Sequence, residues 1–448
     1  MISAPPKPLV IIHGWSDDAR SFRKLAHALE KELNRTAQQI NLADYVSMDD
    51  EVTYDDLVAA MMKAWQDRSL PQTLKSVDVV VHSTGGLIIR HWLIKYFKPD
   101  QAPIDHLVML APANFGSPLA HKGQSFYGRI IKGFNSKKIF QVGKKLLEGL
   151  EVGSEYTWNL AMQDRFGDAI FYDTDKILCT VLIGNTGYSG IAAAANENGS
   201  DGTVRISSAN LNGDFFDIDF GSTPLKPDFK RYPSKGKTAF GVMEGENHST
   251  IVFKDGGPKN PTTLEHIVKG LTLAPSDFAA WCDQLEIKNQ SITDNLGANA
   301  GAHGFQNTVF FVHDQFDLHV QDYFLEFYTD HNKHWLTGLF YENVIANVHS
   351  YTQDQSYRSV YIDCSVLYQQ LEKKWGHLHL SLSALPEFKQ NKNVGYRTFT
   401  DEDIGSIIIP KEHIHDMFMS NRTLLVRMTL RREQADHVFR IKKLADVT

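Results

Sequence analysis

Cysteine is scarce in this chain: three residues in 448, at Cys179, Cys282 and Cys364. They are widely spaced and odd in number, which excludes a disulfide framework as the source of stability. Cys179 and Cys364 fall in apparent strands and read as buried thiols. Long hydrophobic runs are also missing, so no membrane span is expected. The formal charge of −7 supplies no basic face, and nucleic acid is not an expected partner. The opening Met1-Ile2-Ser3-Ala4-Pro5-Pro6-Lys7-Pro8 carries no signal-peptide pattern, so a soluble, cytoplasmic protein is expected, with signal-independent export left open. No repeat of solenoid period is found. At 42% hydrophobic residues the chain can bury large cores, and two or three domains are expected.

The most informative stretch is Val77-Asp78-Val79-Val80-Val81-His82-Ser83-Thr84-Gly85-Gly86-Leu87-Ile88-Ile89-Arg90. A β-branched apolar run, a small-residue turn and an apolar pattern of helical type imply strand, sharp turn and helix. Such a turn pushes the Ser83 hydroxyl out at the carboxyl end of the strand. It also sets the Thr84 N–H at a helix N-terminus, where a developing oxyanion is favoured. Gly85 and Gly86 allow close passage of helix and strand. The pattern is nearly G-x-S-x-G, with Val81 in place of the first glycine. A capping serine on an ordinary turn would produce much of the same pattern.

Other segments agree with a nucleophile at Ser83. Leu9–Ile12 is a continuous apolar strand ending in His13-Gly14-Trp15, where the Trp15 N–H (or less favourably Gly14) can supply a second oxyanion donor. Helical patterns follow at Phe22–Leu33, from Thr53 to Trp65, and after the elbow to Tyr96; strand patterns fall at Ile40–Ala43, Ile104–Leu110, Lys176–Ile183 and Thr238–Met243. Strands alternating with amphipathic helices predict a doubly wound, mostly parallel sheet, with ligands beyond the carboxyl ends of its strands. Asp201, in Ser200-Asp201-Gly202-Thr203-Val204, and His248, after the last strand, complete the order Ser…Asp…His. A serine needs a base, and a histidine base needs a carboxylate to fix its tautomer. Asp214, Asp217 and Asp219 are reserve candidates for the acid.

Residues 115–167 break the alternation with Gly123, Gly128, Gly133 and Gly143 among their residues and two short amphipathic pieces. Ile139, Val142, Leu146, Leu147 and Leu150 share one face, while Lys137, Lys138, Lys144 and Lys145 lie mostly on the other. A lid or cap over the site is expected, with a basic face that would suit an anionic lipid surface.

These motifs resemble the lipase and esterase branch of the α/β-hydrolases over residues 8 to about 255. The resemblance is carried by Ile-Ile-His-Gly-Trp at 11–15, Val-His-Ser-Thr-Gly-Gly at 81–86, Ala-Pro-Ala-Asn-Phe-Gly-Ser-Pro at 111–118, Ser-Asp-Gly-Thr-Val at 200–204 and Glu-Asn-His-Ser at 246–249. The third and fourth are similar to segments of lipases and phospholipases acting on long acyl esters. The resemblance implies Ser83 as nucleophile, Asp201 as acid, His248 as base, and oxyanion N–H groups from Trp15 and Thr84. It implies no cofactor.

The hydrolase domain is expected over 1–287, a linker rich in Asn, Gly and Ala over 288–307, and an accessory domain over 308–448. The accessory region changes to period two, as in Leu378, Leu380, Leu382 and in Leu424, Val426, Met428, Leu430, which suggests an antiparallel sandwich. His377/His379 and His413/His415 have a spacing that could clasp a metal, but outward polar residues on a strand explain them more simply. The aspartates at 314, 317, 322 and 330 match no calcium loop. The expected activity is hydrolysis of acyl-lipid esters, phospholipids included, with peripheral membrane contact through the lid or the accessory domain. Esterase or thioesterase action on small soluble substrates is the rival, and a silent hydrolase fold that docks a partner is the reading from another class.

Overall fold

The computed structural model describes residues 6–13, 22–47, 49–120, 143–221, 228–294, 304–329, 342–370, 378–388, 394–397, 408–409 and 414–434. Two compact units emerge. The first comprises residues 1–214, 233–307 and 420–423, and the second 215–232, 308–419 and 424–448.

In chain order the first unit begins with β1 (Leu9–His13), α1 (Arg23–Leu33), β2 (Ala37–Asn41), α2 (Tyr54–Asp67), β3 (Val77–His82), α3 (Gly85–Tyr96) and β4 (Ile104–Leu110). It continues through α4 (Lys144–Leu150), α5 (Glu155–Asp164), β5 (Leu178–Gly184) and α6 (Ile206–Ala209). After β6 (Gly213–Asp219) and β7 (Asp228–Pro233) come β8 (Ala239–Met243), α7 (Thr263–Thr272) and α8 (Phe278–Asp294). Six strands form a parallel sheet in the order β2-β1-β3-β4-β5-β8. Every residue of β3, β4 and β5 is buried, as their mostly apolar sequences suit in strands covered on both faces. This is the α/β-hydrolase arrangement.

Local chemistry explains the helices. Thr53 closes a capping box with Asp56 at the start of α2, and Ser154 accepts the Thr157 N–H at the start of α5. Gly86 is required where α3 passes the loop after β4: a Cβ there would lie 2.7 Å from Pro112 Cβ.

Of the insertion over 115–167, residues 121–142 lie outside the described residues, Lys137, Lys138, Ile139 and Val142 included. The described remainder packs against the body of the unit. Leu146 and Leu150 of α4 have no exposed surface and belong to the main core. The Tyr54 hydroxyl donates to the Leu146 carbonyl, and Lys145 pairs with Glu51. The described part of the apolar stripe, Leu146, Leu147 and Leu150, faces that core.

The expected linker also differs. Residues up to Asp294 continue α8. Asn289, polar but only 4% exposed, accepts the Val242 N–H (2.9 Å) and donates to the Phe240 carbonyl (2.8 Å). Its side chain thereby covers part of the free edge of β8, a use of asparagine that composition cannot distinguish from loop chemistry. Residues 295–303 lie outside the described residues.

The second unit holds β9 (Phe305–Asp314), β10 (Tyr323–Thr329), β11 (Ile345–Ser350), β12 (Tyr357–Asp363), β13 (Leu378–Ala384), β14 (Val394–Tyr396), β15 (Ile408–Ile409), β16 (Thr423–Leu430) and β17 (Arg432–Gln434). Its sheets run β11-β12-β9-β16-β6-β7 and β10-β13-β15, with β14 and β17 paired separately. Phe310, Val426 and Ile362 of the larger sheet share one core with Tyr323, Phe327 and Leu380 of the smaller. That is sandwich packing. Phe215–Tyr232 belong to this unit although they precede the last strand of the parallel sheet. Phe216 and Ile218 face the sandwich core, and a contiguous reading of the chain has no means of assigning them there. Cys364 is buried as expected, but it opens a helix (Cys364–Gln370) rather than lying within a strand.

Candidate active site

Ser83 follows β3 directly and has φ +56°, a left-handed conformation that costs a non-glycine residue on the order of 1–2 kcal/mol. The turn is held by Ser83 N–H donating to the Leu110 carbonyl (3.1 Å) and Gly86 N–H to the Ser83 carbonyl (3.0 Å). A serine held in this conformation between a buried strand and a helix has the backbone expected of a nucleophile elbow. Val81, where a glycine is usual, is fully buried inside β3 and is accommodated by the sheet.

The structure brings Ser83, His248 and Asp201 together. His248 Nε2 lies 3.0 Å from Ser83 Oγ, and His248 Nδ1 lies 2.8 Å from Asp201 Oδ2. All three are buried: 5% exposed for Ser83, 2% for His248 and 0% for Asp201. The other Asp201 oxygen accepts the N–H groups of Thr203 (2.9 Å) and Val204 (2.8 Å), which fixes the orientation of the carboxylate. The reserve acids are elsewhere. Asp217 pairs with Arg427, Asp219 accepts the Gly221 N–H, and Asp214 is buried at the start of β6.

Thr84 opens α3, and among the described residues no acceptor takes its N–H. That N–H is free to meet an oxyanion formed at Ser83. Trp15 and the alternative Gly14 lie outside the described residues.

Several supporting residues were not apparent from sequence. Tyr188 places its hydroxyl 2.9 Å from Thr203 Oγ1, beside the acid loop, and burial holds its phenol well above the usual tyrosine range. Glu246, fully buried, accepts the Lys259 and Asn260 N–H groups and the Thr263 hydroxyl, anchoring the loop that carries His248 to the start of α7. His82 donates from Nε2 to the His248 carbonyl at 3.0 Å. Adjacency to motif residues was the one signal available for Glu246 and His82; Tyr188 had none. Cys179, pushed up to about 12 by burial, is no competing nucleophile.

Asp78, Asp105 and His106 have ligand atoms within 4.8 Å of one another. The carboxylates already hold cations, Arg35 on Asp78 (2.6 Å) and Lys7 on Asp105, and His106 bonds Asp78 (2.8 Å) and the Leu273 carbonyl (3.0 Å). This is an ion-pair network at the amino ends of β3 and β4, away from the turn carrying Ser83. Of the paired histidines, His377 and His413 lie outside the described residues.

The fold has a solved counterpart. Phospholipase PlaB from Legionella pneumophila superposes with a TM-score of 0.80 at 23% identity, over 98% of this chain and 96% of that one. The same phospholipase in complex with thio-NAD gives a TM-score of 0.78 at 24% identity and the same coverage. The chain shares the fold of PlaB. Both units are included in that likeness, the β-rich one as well as the hydrolase one. No family model matches the chain, and no curated protein matches it.

Proposed function

We propose that the chain is a serine hydrolase that cleaves carboxylic esters of acyl lipids, phospholipids among them, through an acyl-enzyme. The observation that carries this reading is the continuous relay from Asp201 through His248 to Ser83, with contacts of 2.8 and 3.0 Å inside a buried site. A binding protein on a silent hydrolase fold would have no use for that alignment.

In the proposed reaction Ser83 Oγ attacks the ester carbonyl carbon while His248 Nε2 takes its proton. Asp201 holds the imidazole with Nδ1 protonated and stabilises the imidazolium. The tetrahedral oxyanion rests on the Thr84 N–H, with Trp15 as the second donor. The C–O bond to the leaving alcohol breaks as His248 returns the proton to it. Water, deprotonated by the same base, then attacks the acyl-enzyme and releases the acid. The lipid substrate class is supported by the whole-chain likeness to a phospholipase and by the Asn-Phe-Gly-Ser-Pro and Ser-Asp-Gly-Thr-Val motifs. Among the described residues no helix is long and apolar enough to cross a membrane.

The test is labelling by a fluorophosphonate probe of wild type, Ser83→Ala and His248→Ala, with detergent or vesicles present. Labelling of wild type alone is expected, followed by turnover of a phospholipid, triglyceride and short-ester panel. An unlabelled wild type overturns the reading. Exclusive turnover of short soluble esters removes the lipid assignment.

A further inference from the structure

His82 immediately precedes Ser83 and is 4% exposed. Its Nε2 lies 3.0 Å from the His248 backbone carbonyl oxygen. A carbonyl oxygen only accepts, so Nε2 of His82 carries a proton. The two imidazoles also pack against each other, with centroids 4.6 Å apart and planes inclined at 45°. On its far side His82 meets Phe22 (5.5 Å), whose ring lies 4.9 Å from Lys254 Nζ.

The consequence is geometric. Nucleophile and base sit 165 residues apart in the chain, one after β3 and the other in the loop after β8. The His248 peptide is held on both sides: its N–H donates to the Asp201 carbonyl (3.1 Å), and its carbonyl accepts from His82. His82 is therefore a direct tie between the end of β3, which carries the nucleophile, and the backbone of the base. Productive proton transfer needs the two within about 0.5 Å of the right separation, and of the contacts that hold this loop the one from His82 starts at the residue next to the nucleophile.

We propose that His82 is a positioning residue that sets the placement of His248 relative to Ser83, through its Nε2–H bond to the His248 carbonyl and its ring, packed at a tilt against the His248 imidazole. The inference rests on the serine-hydrolase reading above. Charged groups near this pair among the described residues include Asp201, across the His248 ring, and Lys254, across Phe22.

The experiment compares wild type, His82→Leu and His82→Gln by fluorophosphonate labelling rate and by the kcat and KM of a chromogenic ester, each across pH. Leucine removes both donor and ring, whereas the glutamine amide can still donate. His82→Leu should lose about 10- to 100-fold in kcat with KM within about twofold, and its pH profile should shift along the limb that reports the base. His82→Gln should recover most of the loss. A His82→Leu enzyme as fast as wild type overturns the proposal, as does a glutamine variant no better than leucine at equal Tm. Should the leucine variant fail to fold, nitrogen-15 imidazole shifts of Ser83→Ala protein decide instead. A His82 ring protonated at Nε2 supports the tie, and one protonated at Nδ1 alone overturns it. Failure of wild type itself to label refutes the underlying reading and is distinguishable from all of these.

Discussion

Ser117 donates its hydroxyl to the Thr203 carbonyl at 2.6 Å, and so ties the loop after β4 to the loop that carries Asp201. Both side chains are fully buried, 86 residues apart in sequence. The hydroxyl also accepts the Leu119 N–H at 3.3 Å. Ser117→Ala would leave the Thr203 carbonyl without that donor, at a cost of about 1–3 kcal/mol in stability. Because Thr203 N–H holds Asp201, kcat should fall several-fold as well. Chemical denaturation beside ester hydrolysis measures both, and an unchanged kcat would show that Asp201 is oriented without this tie.

Two buried arginines should differ in how much their loss costs. Arg90 donates twice to Asp164 (2.7 and 2.8 Å) and once to the Asn114 carbonyl (2.7 Å), with neither charged side chain exposed. Arg90→Met abandons a buried carboxylate and should cost about 3–5 kcal/mol. Arg165, equally buried, bonds the Leu211 carbonyl through Nε, while among the described residues its two terminal nitrogens have no partner. Burial pulls its guanidinium below the usual range. Arg165→Met should cost about 1 kcal/mol or less, because the methionine removes an incompletely paired charge. Urea titration of both variants checks the contrast.

Ser83→Gly should abolish turnover and raise stability by about 1 kcal/mol. Glycine relieves the left-handed φ of +56°, and that relief is expected to exceed the loss of the buried Ser83 Oγ–His248 hydrogen bond. A glycine variant less stable than wild type in thermal unfolding would mean that the Ser83 hydroxyl bond to His248 outweighs the backbone cost.

Stability should fall in mild alkali because of His106. Burial favours its neutral form, but the bonds to Asp78 and the Leu273 carbonyl and the charges of Asp78 and Asp105 outweigh that, raising its pKa above 6.5. A folded pKa above the unfolded one gives stabilisation that is complete below about pH 6.5 and lost as pH rises through the folded value. Asp78 has the opposite sign. Burial favours its neutral form, yet the bonds and charges of His106 and Arg35 prevail and lower its pKa. Its contribution is present above about pH 3.8 and lost as pH falls through the lower folded value. The denaturation midpoint of wild type minus that of His106→Gln, followed from pH 5 to 9, should shrink toward the alkaline end. A difference independent of pH would refute the linkage.

The hydrolase half of the fold and the three residues of the relay were legible because their signals are local. Continuous apolar runs mark doubly covered strands, the turn after β3 is written in six consecutive residues, and the addresses of Asp201 and His248 follow from strand ends. Period-two alternation likewise marked the sandwich strands. What could not be read locally depends on partners far away in the chain. Asn289 looks like linker chemistry until the edge of β8 lies beside it. Leu146 and Leu150 look like a lid face until the core closes over them.

The sequence by itself therefore determined the parallel sheet, the strained serine turn and which serine, aspartate and histidine are candidates, since periodicity and turn chemistry act over a few residues. Tertiary structure alone decided that Phe215–Tyr232 join the sandwich, that Ser117, Tyr188, Glu246 and His82 brace the site, and that Asp201 rather than Asp214, Asp217 or Asp219 meets His248. A hydrogen bond selects its partner by distance and direction in space. Residues separated by 47 positions, as Asp201 and His248 are, acquire those only when the sheet beneath them has formed.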